Sequence, residues 1–502
     1  MAASTKNIET GVTLGIDIGT SGTKLVCVDR HGRVQFELSS EHATEYPAPG
    51  WAEQDADDVW WRPTARLIRS ATERVDGQIL AVGVSGLGPC LLPVDSRGQP
   101  LRKGILYGVD NRSAGQVREL TRKYTDETLQ NLCSHSLSSE SVGPKIAWVQ
   151  EEEPAIWRET KQLHTSHTHV VHRLTGAYVL DHTSASLWDP LYNPWNNDWN
   201  FQLVREFGVE HLLPDLKWPN EIVGYIHSNA ARITGLAEGT PVIAGAIDFA
   251  AELAGIDATE VGDGAITYGT TLVLNIVVDQ VVPGKEIWTC VGLRPGRHLL
   301  GGVTSCAGAL TSWLRRIAGD PPFEELIELA DSTPIGSNGL LILPYFSGER
   351  TPIFDPDARG VICGLTLSHG VGDLYRGGLE AQGFAARHIL EELKARAGVA
   401  PKKLIASGGG VRHPLGMQIV SDCTGVTQSI TSSRSGAPFG VAILAHKALN
   451  SDFEPIPHSQ PIKTVTPDAE ASTQYDALYE QYRQLDHNTR AINHRLGQMT
   501  TT

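Results

Sequence analysis

Apolar positions along this chain fall into short runs cut by turns of glycine and threonine, and one such unit occurs twice. Leu14-Gly-Ile-Asp-Ile-Gly-Thr-Ser-Gly-Thr-Lys-Leu-Val-Cys-Val-Asp29 and Gly264-Ala-Ile-Thr-Tyr-Gly-Thr-Thr-Leu-Val-Leu-Asn-Ile-Val-Val-Asp279 each join two apolar runs through a Gly-Thr turn. Both end at an Asp the same distance beyond the Thr, which predicts a repeated strand, turn, strand unit. Around the first copy the pattern predicts further strands over 33–39 and 79–85, and a helix that starts at Asp55 with an acidic first turn. Residues 114–235 read as mostly helical, with a Trp- and Asn-rich loop over 189–200. Strand patterning returns from Pro241 and continues over 264–306. Helical periodicity follows at 308–331 and 373–397, and the run 403–406 reads as a last strand entering Gly408-Gly409-Gly410. The stretch 455–468 reads as a tether, and Tyr475, Tyr479 and Tyr482 fall at helical spacing as a packing stripe.

At 502 residues the chain is too long for one core. The division expected is 12–256, 257–450 and a partly helical extension over 451–502. Composition narrows the chemistry. With 41% hydrophobic and 20% charged residues the chain reads as soluble and globular, and no apolar run is long enough to span a membrane. The short polar N-terminus lacks a signal-peptide core, so a cytoplasmic location is expected. A formal net charge of −15 opposes binding to nucleic acid or anionic lipid. Seven scattered cysteines without a C-x-x-C pair read as reduced core residues. A homodimer is left open.

The repeated turn carries the first candidate chemistry. Gly19 and Gly22 permit close backbone approach, Thr20, Ser21 and Thr23 supply hydroxyls, and Lys24 balances charge. Asp17, at the strand end, is placed to hold water around a magnesium ion bridging phosphates. Gly269, Thr270 and Thr271 repeat the arrangement, so two turns can hold one nucleotide; the alternative for each is an ordinary hairpin. Neither a P-loop nor a G-x-G-x-x-G segment is present. Asp248 enters an Ala-rich helix directly from an apolar strand, as either an N-cap or a catalytic carboxylate. Gly408, Gly409 and Gly410 leave room for a flat ring such as adenine, or for a tight strand-helix crossing. Ser85 and the pair Asp110 and Arg112 follow neighbouring strands, where hydroxyl-rich ligands are held; a surface ion pair is the alternative. His164, His167, His169 and His172 lack a second ligand group at metal spacing. Trp188, Trp195 and Trp199 suit loop packing better than sugar stacking.

Taken together, these segments resemble the FGGY family of carbohydrate kinases, within the actin, Hsp70 and hexokinase superfamily, over 14–444. The resemblance rests on the 15–24 phosphate motif and on Glu53-Gln-Asp-Ala-Asp-Asp-Val-Trp60. It rests further on Lys145-Ile-Ala-Trp148, Arg173-Leu-Thr-Gly176 with Asp181, and Gly360-Val-Ile-Cys-Gly-Leu365 preceded by Gly348-Glu-Arg-Thr-Pro352. It implies an α/β fold of two RNase H-like domains around an interdomain cleft, and transfer from Mg-ATP to a small sugar or polyol. By the same matching Asp248 is the catalytic base, Asp17 lies near metal and phosphates, and Thr20 and Thr270 contact phosphate. Gly308, Gly409, Gly410 and Gln418 fall in ATP-site segments, and Ser85 through Pro89 (Gly88 and Pro89 included) with Asp110 lie in the acceptor region. Leu87-Gly-Pro-Cys90 departs from the polar Gln-Met-His-Gly of typical xylulose-phosphorylating members. A pentulose such as xylulose is the leading acceptor, with ribulose, gluconate, glycerol or erythritol types as alternatives. A non-catalytic sugar sensor and a chaperone-like ATPase are the readings outside this class.

Overall fold

In the computed structural model, which describes residues 11–431, 436–451, 453 and 461–499, two mixed sheets of the same layout flank a pair of helices. The first copy of the repeat folds as the antiparallel strands Val12–Ile18 and Gly22–Asp29, extended by Val34–Glu41. On the other side Val12–Ile18 pairs in parallel with Ile79–Gly86, which is followed by Pro241–Ile243 and the antiparallel Ile222–Tyr225. The second copy folds as Asp263–Tyr268 and Leu272–Val278, extended by His298–Val303 and Trp288–Val291. Its parallel neighbours are Lys403–Gly408 and Gln428–Thr431, and the antiparallel Pro461–Val465 closes the edge. Strand 403–406 is therefore not the last. Part of the expected tether, 461–465, is an edge strand; 454–460 lie outside the described residues.

Period-two burial explains the layering. Leu14, Ile16 and Leu25 face a core with Ile68, Val170 and Leu174, whereas Val26 and Val28 on the opposite face meet Phe439, Ala442 and Ile443. In the second sheet Ile266, Leu274 and Ile276 pack on Ile389, Leu393 and Met417. Their alternates Ala265 and Val277 face a separate cluster with Ala250, Ala251, Val441 and Ala445. That cluster contains Asp248–Gly255 and Gly436–Leu449, the helix pair sandwiched between the sheets. The two helices cross at Gly440 and Gly255. A Cβ on Gly440 would sit 1.7 Å from the Ala251 carbonyl oxygen, so only glycine allows this approach.

The tyrosine stripe is buried as expected: Tyr475, Tyr479 and Tyr482 of Ala469–Met499 pack around Phe384. Asp55 caps its helix by accepting from the Asp57 and Asp58 N–H groups. No helix among the described residues is long and apolar enough to cross a membrane.

Candidate active site

The parallel pairing of Val12–Ile18 with Ile79–Gly86 sets Asp17 opposite Ser85, and the Ser85 hydroxyl donates to Asp17 Oδ1 at 2.9 Å. Burial raises the Asp17 carboxyl above its ordinary range, against the opposing Ser85 hydrogen bond and the Lys24 and His167 charges. Asp248 is the first residue of its helix, not the cap; Ile247 holds the cap position. Among the described residues its Oδ1 accepts from the Phe249 N–H alone, at 2.7 Å, so the capping alternative does not describe it. Burial, with the Asp17 and Glu252 charges added, holds Asp248 well above the usual carboxylate range. Glu252, one helical turn on, is pushed up to about 7 by burial and by Asp17, against Lys24. Sequence reasoning missed Glu252, although its i+4 spacing from Asp248 on an Ala-rich helix is the pattern that would have found it.

Both Gly-Thr turns are three-residue loops, closed one residue apart: Gly19 N–H donates to the Gly22 carbonyl, three residues on, and Gly269 N–H to the Thr271 carbonyl, two residues on, each at 2.9 Å. The Thr20 hydroxyl bonds Tyr107 at 3.1 Å, and its carbonyl accepts from Thr44 and Gln54. Ser21 accepts from His42 N–H through its carbonyl, while Thr23 is buried in the following strand. Gly308 packs directly on the second turn: a Cβ there would lie 2.4 Å from the Gly269 carbonyl. The Gly308 and Ala309 N–H groups of Gly308–Ile317 bond the Gly269 and Thr270 carbonyls. Gly408, at φ +89°, and Gly410 lie against Tyr268, which leads into that turn, whereas Gly409 faces open space. Gln418 donates to Asp422 and to the Thr466 carbonyl, tying its helix to the C-terminal segment.

A cleft of about 720 Å³ opens between the two halves. Gly88, Pro89, Tyr107 and Phe249 line one wall, and Thr271, Val273 and Asn275, alternate residues along one strand, line the other. In the unusual 87–90 segment Leu87 and Cys90 turn into the core, so the segment shows the cleft only Gly88 and Pro89. Asp110 and Arg112 are neither surface groups nor among the residues lining the cleft. Their fully buried ion pair is bidentate, Asp110 also accepts from Ala52 N–H, and Arg112 lies 4.1 Å over the Trp51 ring. The Arg112 N–H, Nε and Nη2 and the Ala52 N–H take up its acceptor positions in this conformation.

No group of three or more His, Cys, Asp or Glu among the described residues is arranged to hold a metal ion. The histidine cluster is a packing unit, with His164 Nδ1 3.2 Å from His169 Nδ1 and His167 paired to Asp181. Trp188 and Trp199 are buried in a core around Tyr192.

Family models describe the same two halves. The N-terminal domain of the FGGY family of carbohydrate kinases matches residues 12–255 and its C-terminal domain matches 264–449. A xylulose kinase of Staphylococcus epidermidis is 29% identical over 475 residues, 93% of this chain and 92% of the relative. A glycerol kinase of Thermococcus onnurineus is 30% identical over 426 residues, 82% of this chain and 83% of the relative. The crystal structure of xylulose kinase from Rhodospirillum rubrum superimposes with a TM-score of 0.91 at 26% identity, covering 96% of this chain and all of that one. The two sheets are thus the paired α/β domains of an actin/hexokinase-like fold. The chain belongs to the FGGY family of carbohydrate kinases, and it is a carbohydrate kinase.

Proposed function

We propose that this kinase transfers the γ-phosphoryl group of ATP to a hydroxyl of a small sugar, with Asp248 as general base and a pentulose such as xylulose as the leading acceptor. The observation that carries the reading is the Asp248 carboxylate: half-buried at the start of an interdomain helix, it has one backbone partner and one oxygen left for an incoming proton. Its raised proton affinity suits acceptance from an attacking hydroxyl. The domain halves divide the work at 256/257, with the acceptor on the 12–256 side and the nucleotide on the 257–450 side.

The phosphates lie between Gly19, Thr20, Ser21 and Lys24 on one side and Gly269, Thr270 and Thr271 on the other, with the buried Thr23 behind the first turn. Gly308 keeps the second turn tight, and Gly408, Gly409 and Gly410 with Gln418 border the adenine. Ser85 holds the Asp17 carboxylate through one oxygen and leaves the other facing the turn. A single carboxylate with water and phosphate oxygens is a donor set magnesium accepts. Such an ion, when bound, neutralises phosphate charge during transfer. Tyr107 fixes Thr20, and closure of the cleft excludes water that would compete with the acceptor.

A coupled ADP-release screen with xylulose, ribulose, glycerol, erythritol and gluconate tests the reading. Acceptor-dependent ADP release supports it, and ATP hydrolysis indifferent to every acceptor refutes it.

A further inference from the structure

The 87–90 segment gives the cleft no polar side chain, so recognition of the acceptor must come from another part of the wall. That part is built around His135 and Asp189, which both line the cleft. His135 Nε2 lies 2.7 Å from Asp189 Oδ2, which also accepts from the Ser141 hydroxyl at 3.3 Å. His135 Nδ1 lies 3.1 Å from Ser134 Oγ, whose hydroxyl is also 3.0 Å from the Thr289 carbonyl. The Asp189 carboxylate can only accept, so His135 Nε2 carries the hydrogen between the two side chains. Burial alone would lower its proton affinity; the Asp189 charge and hydrogen bond outweigh burial and raise it.

This pair leaves acceptors over. Asp189 Oδ1 is buried and accepts no hydrogen bond among the described residues, and the same is true of Asn275 Oδ1 on the facing wall. Asp189 is 1% exposed and Asn275 7%. The buried Cys133 thiol, a weak donor, is shared among the Leu129 carbonyl, the His135 carbonyl and the Asp189 carboxylate, so it leaves Asp189 short of a full donor. Two buried oxygens without donors are costly in an empty protein and pay off only when a ligand brings hydrogens to them. The cations near them are committed or exposed: His135 is paired to Asp189, the buried Lys145 donates to the Ser139 and Ser141 carbonyls, and Lys285 and Arg350 of the lining are exposed.

We propose that Asp189, positioned and charge-balanced by His135, and Asn275 from the facing strand form the specificity-determining wall of the acceptor site, and that they read hydroxyl donors of a neutral ketose or polyol. A sugar acid is disfavoured because its carboxylate would bring further acceptors and negative charge to a wall that has a fixed carboxylate and, among its described lining residues, no buried cation besides the paired His135. The inference rests on the kinase reading above and narrows its acceptor class.

The test uses steady-state kinetics of the full-length chain with xylulose, erythritol and gluconate. Wild type is expected to use xylulose or erythritol with kcat/KM at least about 100-fold above gluconate. Asn275→Ala removes an oxygen that accepts no hydrogen bond among the described residues, so the fold should be retained, which circular dichroism checks. It should raise the acceptor KM by about tenfold, while the KM for ATP stays within about twofold. Asp189→Asn should do the same more strongly, and His135→Gln should follow it. Gluconate used as well as the neutral acceptors would overturn the proposal, as would an unchanged acceptor KM in Asn275→Ala together with a folded Asp189→Asn. No turnover with these acceptors or with the ribulose and glycerol of the wider screen would instead count against the proposed acceptor class on which the proposal rests.

Discussion

Asp17 and Ser85 face each other across a parallel strand pair, and the Ser85 hydroxyl donates to Asp17 Oδ1 at 2.9 Å. That bond favours the ionised carboxylate, opposing the burial that raises its proton affinity. Ser85→Ala removes the opposition, so Asp17 titrates at higher pH. Loss of one such hydrogen bond, about 0.5–1.5 kcal/mol, corresponds to a shift of roughly 0.4–1 pH unit. The acid limb of kcat/KM for ATP should move up by that amount. A limb that stays in place or moves down contradicts the role given to Asp17.

Asp248→Asn keeps the size of the side chain and its acceptance from Phe249 N–H but loses the proton-accepting oxygen. Turnover should fall by about 10²–10⁴, while ATP binding measured by calorimetry stays near wild type. Near-normal turnover would remove Asp248 from the mechanism.

Asp110 and Arg112 should behave as structure and not as site. Asp110→Ala strands a buried guanidinium, which retains only Glu53 as a charged partner. Removing one partner of such a pair costs about 3–5 kcal/mol, with Glu53 reducing the loss toward the lower end. Denaturant unfolding should show that loss, whereas the acceptor KM of the folded protein should be unchanged. A large rise in KM at unaltered stability would restore the direct contact.

Glu349 gives a pH prediction for stability. Its Oε1 accepts from the Ser305 and Arg350 N–H groups, Oε2 has no partner among the described residues, and burial pushes the carboxyl up to about 7. The folded state therefore binds this proton more tightly than the unfolded chain. The contribution is fully present below the ordinary carboxylate pKa of about 4.5 and is lost as pH rises through 7. At 1.36 kcal/mol per pKa unit its full size is about 3 kcal/mol. Glu349→Gln should flatten the fall in Tm between pH 5 and pH 8. The same fall in variant and wild type would show that Glu349 is not its source.

Gly440→Ala would place a methyl 1.7 Å from the Ala251 carbonyl. Forcing the helices apart should cost about 1–3 kcal/mol or more and lower kcat through the displaced neighbour Asp248. A Tm within one degree of wild type would show that the crossing yields easily.

What could be read from the sequence follows the range of the interactions involved. The doubled hairpin, the capped helix at Asp55 and the tyrosine stripe are local patterns of burial and turn chemistry, and the structure has all three. Asp110 and Arg112 were recognisable as an ion pair. Their depth was not, because it depends on Trp51 and Trp148, which are separate in the chain. His135 and Asp189 lie 54 positions apart, in a helical region and an irregular loop, and no spacing rule joins them. Strand Pro461–Val465 was missed because its exposed edge residues lack the alternation of a half-buried strand.

The glycine crossing of Asp248–Gly255 with Gly436–Leu449 makes the proposed proton acceptor part of the axle between the halves. Asp248 stands seven residues from Gly255, roughly 10 Å along the helix at 1.5 Å per residue. Each 10° of rocking about the crossing would swing the carboxylate by about 2 Å, enough to separate an aligned geometry from an unreactive one. A rocking of the halves about this crossing would therefore set the aim of the proposed base without a separate latch.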